Sequence, residues 1–123
     1  MCFGCGSRNA RGLRLKFSLD RRRRTITTEW TPTKDFQGYA NVVHGGITAL
    51  VLDEVMGNLL WTLKHPSVTA EMSVRFLKPA YVGQKLRFKA HVKHQKGPVF
   101  HVEAVATRSG TKIAHASGVY IHI

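Results

Sequence analysis

Two of the chain's seven acidic residues, Asp53 and Glu54, stand side by side inside the aliphatic run Ile47 to Trp61. A carboxylate held among apolar side chains is costly unless it is paired or hydrogen-bonded, and that cost marks either a structural pair or a working group. Neighbours on a helix point about 100° apart, so one of the two is expected to act while the other is paired or faces solvent. Nine residues before Asp53 comes His44, followed by Gly45 and Gly46. Bare N–H groups at a helix start carry positive dipole character. They can hold a phosphate or polarise a carbonyl as an oxyanion hole. Nine residues of helix span about 13.5 Å, so Asp53 cannot reach the donors of its own helix start. It could reach a substrate held by another subunit's, and the spacing suggests a site shared across a two-fold interface.

Ordinary readings compete with each of these. A single helix carboxylate is most often a surface group, and a His-Gly-Gly by itself is a weak signal. Cys2 and Cys5 form one C-x-x-C at the N-terminus. Zinc commonly takes four protein ligands from two such pairs or from Cys with His at set spacing. No second pair follows, and no helix opens behind the cysteines as a redox motif would require. No metal is expected, and a reduced structural or incidental pair suits a cytosolic chain.

The 123 residues make one ordinary domain, with 43% hydrophobic and 21% charged side chains, which excludes a wholly disordered chain. No apolar run approaches the roughly 20 residues of a membrane span. The first residues, Met1-Cys2-Phe3-Gly4-Cys5, lack the charged and apolar regions of a signal peptide. A cytoplasmic location without membrane attachment is therefore expected. Nineteen Lys and Arg against seven Asp and Glu give +12, a field that favours anionic partners. Four of the basic residues are Arg21 to Arg24, which read as a solvated hairpin tip.

The elements that must position these groups follow from periodicity. Residues 1–12, rich in Gly, Arg, Ser and Asn, read as an irregular arm. From Leu13 to Asp20 apolar and polar residues alternate, as does Thr25 to Trp30, predicting two half-buried strands. Thr33 to Val43 reads as a loop. His44 to Trp61 reads as a helix apolar on nearly every side and therefore buried. Alternation resumes over Val68–Phe76, Leu86–Val92, Phe100–Ala106 and Ile113–Ile123, with short turns that predict an antiparallel meander. The result is an α+β domain, residues 1–123, with one buried central helix wrapped by a curved antiparallel sheet of five or six strands.

Val43 to Glu54 resembles the central helix of hotdog-fold acyl-CoA thioesterases of the phenylacetate-degradation type, with their H-G-G-x(6)-D pattern. Cys2-Phe3-Gly4-Cys5-Gly6 with Asn9, Gly12 and Leu13 resembles the arm that opens many members of one branch. Phe36-Gln37-Gly38-Tyr39 is similar to the segment before the helix, and Arg75-Phe76-Leu77-Lys78-Pro79-Ala80 to the strand end after it. The resemblance covers nearly the whole chain in the right order. It implies a hotdog fold, a homodimer or dimer of dimers with sites at the subunit interface, and hydrolysis of an acyl- or aryl-CoA. It implies Asp53 as general base on water, or else as nucleophile, Gly46 with Gly45 as oxyanion donors, and His44 fixing the turn before the helix or orienting the thioester. Gln37, or Asn41 in its place, is expected near the attacking water. Thr69 is expected to hydrogen-bond the water or the carboxylate. Glu54 stays open as an alternative to Asp53. Arg75, Lys78 and Arg108 are candidates for the CoA phosphates, and CoA is substrate rather than cofactor, so no cofactor is expected.

Other functions fit less well. A hotdog dehydratase would place a His after the Asp at a spacing not found here. A nucleic-acid binder would interleave aromatics with basic residues, whereas Phe88 and Phe100 fall in the apolar register, which argues against nucleic acid as partner. A non-catalytic protein binding acyl-CoA or another anionic ligand is the alternative to the thioesterase. Tyr39, Trp61 and Phe76 are candidate pocket residues, and Met56 and Leu60 are expected in the core.

Overall fold

The computed structural model describes residues 2–123. Six strands form one antiparallel sheet: β1 (Ser18–Asp20), β2 (Thr25–Trp30), β3 (Ser67–Phe76), β4 (Leu86–Lys96), β5 (Val99–Arg108) and β6 (Thr111–His122). They lie in the order β1-β2-β4-β5-β6-β3, and the curved sheet wraps one long helix, α1 (Gly45–Thr62). The order is not a simple meander. The chain leaves β2, forms α1, crosses to the far edge for β3, and returns to pair β4 with β2.

Alternation builds the sheet. Leu86, Phe88 and Ala90 of β4 are buried, while Arg87, Lys89 and His91 between them are exposed, as a two-residue period requires. β5 alternates in the same way. Ser109 and Gly110 join β5 to β6 with φ of 48° and 81°, the positive values a two-residue hairpin turn of type I′ demands. Val51, Leu52, Val55, Met56, Leu59 and Leu60 of α1 are fully buried against this sheet. Each such side chain contributes about 1.5–3 kcal/mol by leaving water. Met56 and Leu60 are thus core.

Two expectations change. The alternating stretch from Leu13 enters the sheet only at Ser18, because Leu13 and Leu15 donate their N–H groups to the carbonyls of Phe3 and Gly4 in the arm, and Arg14 adopts φ 53°. The arm, of which Met1 lies outside the described residues, is a series of turns laid across α1. The helix is not enclosed all round: Asp53, Glu54, Gly57 and Asn58 are half-buried and Trp61 is exposed. These positions recur at the spacing of one helix face, and that face carries the charged groups. Thr33–Val43 is a loop with one short 3-10 turn at Lys34–Phe36.

β3 is an edge strand. Among the described residues nothing pairs with its outer side, and Val68 and Phe76 at its ends are about half exposed. Arg21 to Arg24 form the exposed turn between β1 and β2. Among the described residues no helix is long and apolar enough to cross a membrane.

Candidate active site

Asp53 sits on the open face of α1, over the sheet edge where β3 meets β6. Thr69 and Tyr120 are directly opposite one another across that pair of strands, and both reach the same carboxylate oxygen. Thr69 Oγ1 donates to Asp53 Oδ1 at 2.8 Å, and Tyr120 Oη donates to it at 2.7 Å. Tyr120 Oη also lies 3.3 Å from the Asp53 carbonyl. Oδ1 is thereby fixed. Among the described residues no hydrogen bond reaches Oδ2, which is left to take a proton. A β-bulge between Thr69 and Glu71 falls beside this contact, where bulges commonly re-aim a side chain.

Tyr120 is almost wholly buried. Burial first, then the neighbouring Asp53 carboxylate, pushes its phenol far above the ordinary range, so it stays a neutral donor. Its ring needs Gly118: a Cβ there would stand 2.5 Å from Cε1 of Tyr120. Both residues were invisible to sequence reasoning, since a tyrosine in an alternating strand reads as core.

Glu54 turns to different partners. Asn58 Nδ2 donates to Glu54 Oε2 at 3.1 Å and to the Glu54 carbonyl at 2.9 Å, while the Cys2 thiol lies 3.6 and 3.7 Å from its two carboxylate oxygens. Asp53 and Glu54 still border one open cavity of about 710 Å³, together with Cys2, Trp61, Thr69 and Tyr120. The two carboxylates thus take different partners yet line one groove, because the arm and the sheet edge bound it together. The Cys5 thiol is raised to about 11, by burial and then by Cys2 and Glu54.

The helix start borders a second cavity, of about 650 Å³, lined by Tyr39, His44, Gly45, Phe76, Lys78 and neighbours. Here His44 caps the helix: Gly46 N–H donates to His44 Nδ1 at 2.9 Å. The expected free donor at Gly46 is therefore engaged in this structure, and the N–H without a partner, among the described residues, is that of Gly45. Gln37 Oε1 accepts from the Asn41 backbone N–H at 3.0 Å, a contact that braces the loop between them. Arg108 donates to the Pro79 carbonyl at 2.7 Å and covers the Tyr81 ring at 5.2 Å, which positions the segment carrying Lys78. Arg75 is exposed on β3 and borders neither cavity. Within one chain, then, Asp53 and Thr69 come together; His44, Gly45, Gly46, Gln37, Asn41 and Lys78 form a separate group at the other end of the helix.

Residues 40–114, which hold α1 and most of the sheet, match the family model described as Thioesterase superfamily. The chain belongs to the thioesterase superfamily. Its fold is the hotdog fold of solved superfamily structures. The phenylacetic acid degradation-related protein of Ralstonia eutropha JMP134 superposes with a TM-score of 0.81 at 22% identity, over 89% of this chain and 85% of that one. The PaaI protein from the phenylacetic acid degradation operon of E. coli gives 0.83 at 19% identity, over 89% and 84%. A thioesterase-family protein of Streptococcus pneumoniae TIGR4, solved with coenzyme A, gives 0.80 at 18% identity, over 87% and 88%. That protein was also solved as a Thr→Ala and an Asp→Ala variant, at positions sixteen residues apart, the separation of Asp53 and Thr69. No curated protein matches the sequence. The superfamily match starts after the arm and leaves Cys2 and Cys5 outside it.

Proposed function

We propose that this thioesterase-superfamily protein hydrolyses the thioester of an acyl- or aryl-CoA to the free acid and CoA. The observation that carries the reading is the Asp53 carboxylate, anchored through one oxygen by Thr69 and Tyr120 and bordering a cavity open to solvent. A carboxylate fixed in this way can act as general base with its other oxygen.

In this reading Asp53 Oδ2 removes a proton from water as the water oxygen attacks the thioester carbon. Charge builds on the carbonyl oxygen and is met by N–H groups at a helix start. The tetrahedral intermediate collapses with cleavage of the C–S bond, and the proton held on Asp53 passes to the departing CoA sulfur. The donors belong to a second subunit, because Asp53 and the helix start border different cavities within one chain. Antiparallel pairing of two β3 edges about a two-fold axis would bring the Thr69 end of one strand to the Phe76 end of the other. Phe76 lies 3.6 Å from where a Gly45 Cβ would stand, so such pairing carries Asp53 toward the partner's Gly45. A homodimer, or a dimer of dimers, is thus part of the proposal. Gly45 is the first donor, and Gly46 joins it once the His44 imidazole releases its N–H. Lys78 at the mouth of the helix-start cavity suits the CoA phosphates, with Gln37 and Asn41 bracing the adjoining loop. The CoA-bound pneumococcal relative supports that substrate class. A cytoplasmic site of action completes the reading.

The test is hydrolysis of short, long and aryl acyl-CoA thioesters, followed as free thiol. Asp53→Ala is expected to lower kcat/KM at least a hundredfold, about 3 kcal/mol of transition-state stabilisation, with the oligomer intact. Unchanged turnover in the variant would remove Asp53 from its role. No turnover by a wild-type protein that still binds CoA would leave a non-catalytic acyl-CoA binder.

A further inference from the structure

The arm brings two thiols against a carboxylate that the hydrolytic reading leaves aside. The Cys2 and Cys5 Sγ atoms and a Glu54 carboxylate oxygen all lie within 4.8 Å of one another. Four features organise this contact. The Cys2–Gly6 segment closes on itself: Gly6 N–H donates to the Cys2 carbonyl at 2.9 Å, and Cys5 N–H points to Cys2 Sγ at 3.5 Å. Asn58 Nδ2 fixes the carboxylate through Glu54 Oε2. Gly4, between the two cysteines, leaves room for the acid: a Cβ there would run into the Glu54 side chain. The segment is then tied down by Leu13 and Leu15, whose N–H groups bond Phe3 and Gly4 at 2.8 and 2.9 Å.

A disulfide between Cys2 and Cys5 would leave the carboxylate with no part to play. A cation uses all three groups. We propose that Cys2, Cys5 and Glu54 form a binding site for a thiophilic divalent cation of the zinc class, with solvent in the fourth position. Thiolate sulfur and carboxylate oxygen are both ordinary zinc ligands, and three protein ligands with one water satisfy its tetrahedral preference. On binding, each thiol loses its proton to solvent, so one Zn²⁺ exchanges for two protons. The bound ion would staple the arm to the open face of α1, one residue from Asp53. No hydrogen bond links either thiol to Asp53, so the site does not depend on the hydrolytic reading. The sequence hid it because the third ligand lies 52 positions from Cys2.

The test uses the untagged, reduced, metal-stripped full chain. Titrated Co²⁺ is expected to saturate at one equivalent per chain, with a thiolate-to-cobalt charge-transfer band and the visible bands of a tetrahedral ion, and one equivalent of Zn²⁺ should bleach both. Cys2→Ser or Cys5→Ser should lower Zn²⁺ affinity by more than a hundredfold. Glu54→Gln should lower it about 10–100-fold while keeping the sulfur band, and Asn58→Ala should do so to a lesser degree. Circular dichroism of each variant separates ligand loss from misfolding. Absence of the sulfur band, or Zn²⁺ binding as tight in a Cys2→Ser/Cys5→Ser double variant as in wild type, would overturn the proposal. So would full saturation through histidine alone, which gives no thiolate band.

Discussion

At the residue scale the site turns on how one carboxylate is held. Asp53 Oδ1 accepts from both Thr69 and Tyr120, so neither donor alone fixes it. Replacing Tyr120 by Phe removes the shorter bond and keeps the ring over Gly118. The loss of one hydrogen bond to a charged group in this partly sheltered place is expected to cost about 1–2 kcal/mol of stability, measured by urea unfolding. Turnover should fall about tenfold as Asp53 gains freedom. The same residue predicts a pH effect. Its phenol is raised in the folded protein above the ordinary value near 10, so the unfolded chain ionises first as pH climbs. Tyr120's contribution is complete below pH 10 and is lost progressively above it. The Tyr120→Phe protein should therefore show a shallower alkaline decline in unfolding free energy than wild type. Asp53 was legible from its aliphatic surroundings and its distance from His44. Thr69 was legible only by resemblance, because a threonine in an alternating strand has no pattern of its own. Tyr120 was not legible, since its phenol reaches a residue 67 positions earlier.

At the scale of elements, α1 shows how a mostly apolar helix can still be one-sided. Its buried residues fill the sheet, while Asp53, Glu54, Gly57, Asn58 and Trp61 stay toward the groove. Periodicity placed the helix within a residue of its ends, but Gly57 and Trp61 count as apolar and disguised the open face. The strands over Leu86–His122 were legible because both alternation and turn residues are strong there. The crossing of β3 to the far edge was not, because alternation fixes which face a side chain takes and says nothing about which strand lies beside it. At the helix start, the His44 side chain satisfies one of the backbone donors that a helix otherwise leaves open. His44→Ala should cost about 0.5–2 kcal/mol of stability, as the loss of other side-chain caps does. Thermal unfolding, read with the unfolding enthalpy, checks it. A change within error would mean that solvent replaces the imidazole at no cost.

For the whole molecule the decisive quantity is how many chains make one site. One chain carries Asp53 at one cavity and the helix start at another, and among the described residues its β3 edge is open. A site shared across a two-fold axis has a consequence that a single-chain site lacks. Asp53→Ala damages only the base half. Gly45→Pro damages only the donor half, since proline removes the N–H and is well accepted in the first helical position. A Cβ at this position meets only the Phe76 side chain, at ordinary contact distance. His44 already has φ −58° and ψ 128°, which suits the residue before a proline. Each variant alone should be nearly inactive as a homodimer. Unfolded together and refolded, half of the dimers become mixed, and each mixed dimer holds one intact site and one doubly damaged site. The mixture should therefore recover about a quarter of wild-type activity. Recovery near zero, with mixed dimers demonstrated by native mass spectrometry, would place base and donors in the same chain and require α1 to meet its substrate in another way.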